Sequence, residues 1–270
     1  MKLYELNNFL YETFKDYLLL EDYLKNGLEI EGEEEINKVL FSVSFNKNVA
    51  EYAIKNTFDA IITHHGIFGR SFIDFTGNYT KKIRDILKNN ISLFSFHLPL
   101  DKHRTIGNNA SLASTLNFEI IDEIDVGYIC LNNNKLNIKE ICSKIYDEID
   151  KKIKLTLIKK CDFLINKNIN HYMFSGFNVL LNNDDIPKKI AIISGGVSEN
   201  SIKSAIINKC DLFITGELKL HISDLCFETG LNYIALGHYY SEIFGVLNLK
   251  DLIENKFNLN CEFLNDENLL

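Results

Sequence analysis

The chain has 270 residues, 46% apolar and 24% charged, with a net charge of −8 and an isoelectric point near 5.4. That is enough apolar surface for one large core or two modest ones, and the acidic balance without a long basic run argues against nucleic acid as the main partner. No apolar run approaches the roughly 18 residues of a membrane span, and the opening MKLYELNNFLYETFKDY lacks the uninterrupted apolar stretch of a secretory signal.

In chain order, residues 5–22 are expected to form an amphipathic helix. VLFSVSF (39–45) predicts a buried strand, NVAEYAIKN (48–56) a helix and AIIT (60–63) the next strand, so this region is expected to be a βαβ unit with parallel strands. A helix at 79–89 and the strand ISLFSF (91–96) continue the pattern. Pro99 disfavours helix at Leu98, so His97 and Asp101 are expected on a loop. GNNA (107–110) reads as a turn into a helix that Asp101 could cap. Residues 126–158 predict strand, helix, strand, and the Asn-rich stretch 166–186 reads as loop with a hairpin. KIAIIS (189–194) restarts the parallel pattern. SGGVSEN (194–200) then places glycines between strand and helix, where an anion could be cradled; a plain tight turn also accounts for it, and it completes no Walker or dinucleotide fingerprint. HYYSEIFGVLNLKDLIENKF (238–257) predicts a long helix. The six cysteines (Cys130, Cys142, Cys161, Cys210, Cys226 and Cys261) are scattered, as expected of reduced cytoplasmic thiols in a core and not of a disulfide framework or a thiolate metal site.

Two stretches repeat. AIKNTFDAIITHH (53–65) and AIINKCDLFITGE (205–217) share Ala, Ile, Asn, Asp, Ile and Thr at a constant offset of 152 residues, as in Asp59 and Asp211 or Thr63 and Thr215. Each is followed by a strand, a histidine and, four residues on, a carboxylate: His97 and Asp101 in the first copy, His238 and Glu242 in the second, both at an offset of 141. The chain therefore reads as two related α/β halves, 1–125 and 126–270, with mixed, mostly parallel sheets and a cleft between them.

Functional groups of parallel sheets gather at the carboxyl ends of strands, which is where His64, His65, His97, Asp101, Glu217, His238 and Glu242 fall. Neighbouring residues on a strand point to opposite faces, so His64 and His65 do not suit one ordinary metal site. They can instead serve two ions with carboxylates bridging. Imidazoles and carboxylates without thiolates suit zinc, iron, manganese or cobalt. His238 and Glu242, four apart at a helix start, share a face. Glu217 and His221 share the same spacing and could orient ligands or move protons. Arg70, Lys102 and Arg104 lie close in sequence to these groups and suit an anionic substrate such as a phosphate. His103 and His171 have no partner pattern and are expected to be solvated.

The motifs ITHHGIF, FHLPLD followed by GNN, DLFITGE and ALGHYYSEIFGV, in this order, resemble the NIF3-like dinuclear metal-centre family, which carries the label GTP cyclohydrolase 1 type 2. The resemblance runs over nearly the whole chain. It implies two similar α/β domains with a metal pair in the cleft, a toroidal homohexamer built as a trimer of dimers, and a cytoplasmic setting. It places the metal ligands on His64, His65, Asp101, His238 and Glu242, with His97 and Glu217 as neighbours. It also implies a hydrolase in which metal-bound hydroxide attacks the purine ring of a nucleotide; a non-catalytic, metal-binding regulatory hexamer is the alternative. Gly66 stands where the family usually has proline, SVSF (42–45) where many members carry an aspartate, and 160–188 fits the pattern poorly.

Overall fold

A computed structural model describes residues 1–69, 76–155, 164–166, 171–183 and 186–266, with only the backbone at 78–79 and 164–166. The elements run α1 (Leu3–Phe14), β1 (Gly27–Ile30), β2 (Lys38–Ser44), α2 (Lys47–Lys55), β3 (Ala60–His65), α3 (Gly77–Lys88), β4 (Ser92–Ser95) and α4 (Leu98–Lys102). Then come α5 (Asn108–Thr115), β5 (Glu119–Ile124), β6 (Gly127–Leu131), α6 (Ile138–Ile153), β7 (Leu164–Asn166), β8 (His171–Phe174), β9 (Phe177–Leu180) and β10 (Lys189–Ile192). The chain continues with α7 (Glu199–Ile207), β11 (Leu212–Thr215), α8 (Leu220–Thr229), β12 (Asn232–Ala235), α9 (His238–Phe257) and β13 (Asn260–Phe263). They form two compact units: Met1–Gly107 together with Gly245–Leu270, and Asn108–Phe244. The 125/126 break expected from sequence lies in the β5–β6 hairpin of the second unit.

In the first unit the sheet order is β1-β4-β3-β2-β13, with only β1 antiparallel to its neighbour. Leu40, Ile61 and Leu93 from its three central strands pack against Val49, Ala50 and Ala53 of α2 and Ile83 and Ile86 of α3. Each of the Leu, Ile and Val side chains among them contributes roughly 1.5–3 kcal/mol when fully buried. β13 joins β2 across more than two hundred residues of chain, a pairing with no local signature. Helix α1 buries Leu3, Leu6, Leu10 and Phe14 at helical spacing. It is shorter than the 5–22 expected: the N–H groups of Tyr17 and Leu18 both turn back to the Phe14 carbonyl, at 2.8 and 3.1 Å. Residues 20–26 are thereby released to run across the end of β4.

In the second unit the order is β5-β6-β10-β11-β12-β9-β8-β7, with β10, β11 and β12 parallel and the outer strands antiparallel. Ala191, Phe213 and Tyr233 pack against Ile202 and Ala205 of α7 and Ile222 and Cys226 of α8. The hairpin expected in the Asn-rich stretch is β8–β9, turned at Ser175 and Gly176 with φ of 50° and 83°. His171 lies in it, half-buried and 3.1 Å from Asn178 Oδ1, so it is partnered instead of solvated. Lys154, in the left-handed conformation, ends α6, and the strand expected to follow falls mostly outside the described residues.

This is the mixed α/β fold the sequence predicts, and the internal repeat is physical. Asp59 Oδ2 accepts from the N–H groups of Asn37 and Lys38 at 2.8 and 2.9 Å, and Asp211 Oδ2 from those of Lys188 and Lys189, both at 2.9 Å. Lys38 Nζ donates to the Asn56 carbonyl at 2.9 Å and Lys189 Nζ to that of Asn208 at 2.7 Å. The shared Asp and Asn of the two sequence copies thus perform the same task, joining the start of one strand to the helix–strand turn beside it. Among the described residues no helix is long and apolar enough to cross a membrane.

Candidate metal centre

In the first unit the donors collect where β3 and β4 end. His64 is buried completely, and its Nδ1 donates to the Phe96 carbonyl at 2.9 Å. His65 is the last residue of β3, where the pleat no longer dictates direction; its Nδ1 lies 2.9 Å from Ser44 Oγ. The two rings are therefore neighbours, with centroids 4.5 Å apart, despite the alternation a strand imposes. His97, beyond β4, brings a third ring to 5.0 Å from His64 and 5.4 Å from His65. One ring nitrogen from each of the three lies within 4.8 Å of the others.

Carbonyls and carboxylates only accept hydrogen bonds, so His64 and His97 donate from Nδ1, which leaves Nε2 as the nitrogen that can face an ion. For His97 the acceptor is Asp22, with Nδ1 and Oδ1 2.8 Å apart and the carboxylate only 3% exposed. Asp22 also accepts from the N–H of Leu24 at 3.0 Å, Asn26 Nδ2 at 3.0 Å and the N–H of Leu98 at 3.1 Å. Burial works to raise its pKa, but the bonds from His97, Asn26 and Leu24 prevail and hold the carboxyl well below the usual range. Sequence reasoning missed Asp22 by placing it inside a helix. The signal was the Asn26-Gly27 pair just after it, a turn dipeptide that argues against helix there.

Asp101 lies in α4, not on the expected loop and not as a cap of α5. Pro99 occupies the first turn of that five-residue helix, where a missing N–H costs nothing. The helix carries Asp101 inward to 3% exposure, with Oδ2 3.6 Å from His64 Nε2. Lys102 follows, half-buried, and Arg104 is exposed; Arg70 falls outside the described residues. His103 is not solvated: its ring packs on Phe14 and Tyr17 at 5.7 and 5.1 Å, and burial pushes its pKa down. Gly66 makes room for Glu29. A Cβ there would run into the Glu29 carboxylate, which accepts from the N–H groups of Ile67 at 2.7 Å and Phe68 at 3.3 Å and fixes the chain leaving His65.

In the second unit the equivalent strand ends carry Glu217, His238 and Glu242. His238 Nδ1 is 2.7 Å from Glu217 Oε1, and its Nε2 is 3.0 Å from Oε1 of Glu242, which is 2% exposed. His238 and Glu242 share one face of α9, as their spacing predicts. Burial pulls the His238 pKa down, but the two carboxylates outweigh it and raise it to about 9; the His238 bond in turn lowers that of Glu217. Glu217 precedes α8, so its spacing to His221 is not helical; His221 sits exposed on that helix while Glu217 turns to His238. The first of the SGGVSEN glycines is explained by packing. Gly195 has φ +66°, and a Cβ there would run into Glu242. The turn is pinned by Asn109, whose Oδ1 accepts from the Ser194 N–H at 2.6 Å, and by Ser241 Oγ, which accepts from the Gly195 N–H at 2.8 Å.

The donors in both units fit a first-row divalent ion: imidazoles whose Nδ1 is already fixed, beside buried carboxylates, which is how metal-binding histidines are normally oriented. The five described cysteines are buried free thiols away from this chemistry, with Cys130 pushed up to about 12 by burial.

A family profile described as Duf34/NIF3 (NGG1p interacting factor 3) matches residues 1–268. A Haemophilus influenzae protein named "GTP cyclohydrolase 1 type 2 homolog" is 30% identical over 255 residues, 92% of each chain. Among solved structures, TTHA1606 from Thermus thermophilus superimposes with a TM-score of 0.81 at 25% identity over all of both chains. HcgD from Methanocaldococcus jannaschii does so with a TM-score of 0.77 at 28% identity over 98% of each.

Proposed function

The chain belongs to the Duf34/NIF3 family, and from that premise we propose that it is a hydrolase that uses two divalent ions to open the purine ring of a nucleotide, in the manner of a GTP cyclohydrolase. The ligands are His64, His65 and Asp101 from the first unit and His238 and Glu242 from the second. The observation that carries this reading is the preparation of the donors: the His64 and His238 Nδ1 atoms are each held by an acceptor, at 2.9 and 2.7 Å, which leaves Nε2 of each ring as the ligand. Divalent ions so held supply Lewis acidity and lower the pKa of water. The chain's own part is to hold the imidazoles aimed; His238, raised to about 9 by its two carboxylates, would give up its Nε2 proton as an ion binds. Phe96 does this for His64, Ser44 for His65 and Glu217 for His238, while Gly195 leaves space for the Glu242 carboxylate. Lys102 and Arg104 are the cations nearest in sequence to meet an anionic substrate. The name of the Haemophilus influenzae relative supports GTP as the first nucleotide to try. We further propose a cytoplasmic homohexamer, a trimer of dimers with six times the 31.1 kDa chain mass.

The test is incubation of GTP with protein loaded in turn with zinc, iron, manganese and cobalt, followed by assays for formate and a pterin chromophore. Both products should appear with at least one metal and disappear in His64→Ala with His65→Ala. Metal-loaded protein that turns over GTP with none of the four would overturn the cyclohydrolase reading and favour the non-catalytic, metal-binding alternative.

A further inference from the structure

We infer that Tyr23, at the rim of the first unit, is the residue against which the base of a purine nucleotide stacks. This rests on reading the substrate as a nucleotide, but not on its hydrolysis and not on which ions are bound.

The backbone that carries Tyr23 is fixed on both sides of it without help from its ring. Before it, the Asp22 carboxylate accepts from the N–H groups of Leu24 and Leu98 at 3.0 and 3.1 Å. After it, Leu24 forms an antiparallel bridge with Gly69, and the Lys25 N–H donates to the Phe68 carbonyl at 2.7 Å. Ser95 Oγ donates to the Lys25 carbonyl at 2.9 Å, and Asn26 Oδ1 accepts from the His97 N–H at 2.7 Å. Gly69 permits the close approach: a Cβ there would stand 2.5 Å from Leu24 Cδ2 and 2.7 Å from the Tyr23 carbonyl oxygen.

On this fixed backbone the ring is presented to solvent instead of being packed away. It stands at 72° to the His97 ring with centroids 4.9 Å apart, yet the residue is 48% exposed. Of the exposed tyrosines among the described residues, Tyr4, Tyr11 and Tyr23, only Tyr23 packs on a residue of the donor cluster. A base stacked there lies beside the groups at which ring opening would occur. Tyrosine has only two side-chain torsions, so a ligand that settles on it orders little. Lys25 is exposed two residues on, with Nζ 5.9 Å from the Phe68 ring centroid. An aromatic face and a cation on one short segment suit a base and its phosphates. Stacking tolerates either purine, so this contact sets the class of substrate and not the choice between guanine and adenine.

The experiment titrates the full zinc-loaded chain with 2-aminopurine riboside triphosphate, a fluorescent purine whose emission falls when it stacks, and displaces it with GTP. Emission should fall on binding to the wild type, a check that depends on no variant folding. Tyr23→Ala should bind both nucleotides roughly 5- to 150-fold more weakly, with circular dichroism unchanged. Tyr23→Phe should bind them nearly as well as the wild type, because it keeps the ring face. The proposal is overturned if the probe binds the wild type with undiminished emission, or if Tyr23→Ala leaves the affinity for GTP unchanged. It is also overturned if Tyr23→Phe loses as much as Tyr23→Ala, which would assign the contact to the hydroxyl. A wild type that shows these effects without turning GTP over fails the hydrolase reading alone. One that binds neither nucleotide overturns the nucleotide reading and this proposal with it.

Discussion

The two βαβ repeats, β2-α2-β3-α3-β4 and β10-α7-β11-α8-β12, share a scaffold and differ in what they display at its rim. The scaffold is held by the same atoms in both: Asp59 and Asp211 each accept two strand N–H groups at 2.8–2.9 Å, and Ile62 and Ile214 at matching positions are 1% and 0% exposed. At the rim, the first repeat carries His64 and His65 where the second carries Gly216 and Glu217. After the last strand, the first enters a five-residue helix and the second a twenty-residue one. The difference teaches that the orientation of a histidine is the constrained quantity, not the identity of the residue that achieves it. His238 is aimed by Glu217 from within its repeat, His97 by Asp22 from outside it. Their surroundings differ accordingly. The Asp22–His97 pair is nearly sealed from water, with side chains 3% and 7% exposed, whereas those of Glu217 and His238 are 38% and 40% exposed.

The largest expected effect tests whether the scaffolds are equivalent. Ile62→Ala and Ile214→Ala should each lose about 2–5 kcal/mol in urea unfolding, and by similar amounts. A loss several-fold smaller in one would show that its repeat is the more loosely packed. The buried pair comes next. Asp22→Asn, in metal-free protein, should cost about 2–3 kcal/mol near neutral pH, since it weakens charge-assisted bonds to buried donors. The folded-state pKa of Asp22 is depressed, so this stability is present above the unfolded pKa of about 4 and fades as pH falls below it. The gap between wild type and variant should therefore narrow steadily as pH falls below about 4; a gap as wide at pH 2 as at pH 7 would contradict the charge assignment. The exposed pair should behave oppositely and more weakly. His238 is raised to about 9, so its contribution is complete below the unfolded pKa of about 6.5 and is lost as pH rises through 9. Glu217→Gln should cost less than about 1 kcal/mol at pH 6, given solvent screening, and nothing measurable at pH 10. An alkaline-stable gap would mean that Glu217 acts through something other than the His238 charge.

What could be read in advance and what could not divides along sequence distance. The strands, the helices between them and the duplication were legible because each is written in a local apolar period, and because the Asp and Asn that join strand to turn recur at fixed spacing. The donors at strand ends were legible for the same reason: once the strands are placed, so are their termini. Helix α1 was overrun because its apolar stripe says nothing about where the Phe14 carbonyl turns the chain. Asp22 was missed because its bond to His97 spans 75 residues and leaves no periodic trace. The pairing of β13 with β2, the inward turn of Asp101 on a proline-started helix and the choice of His238 over His221 by Glu217 belong with it. The sequence by itself determined which faces are buried and where reactive side chains leave the sheet, since burial follows from local alternation. Which carboxylate orients which imidazole was decided only by tertiary structure, because a buried polar group bonds to whatever donor or acceptor the packed chain brings beside it.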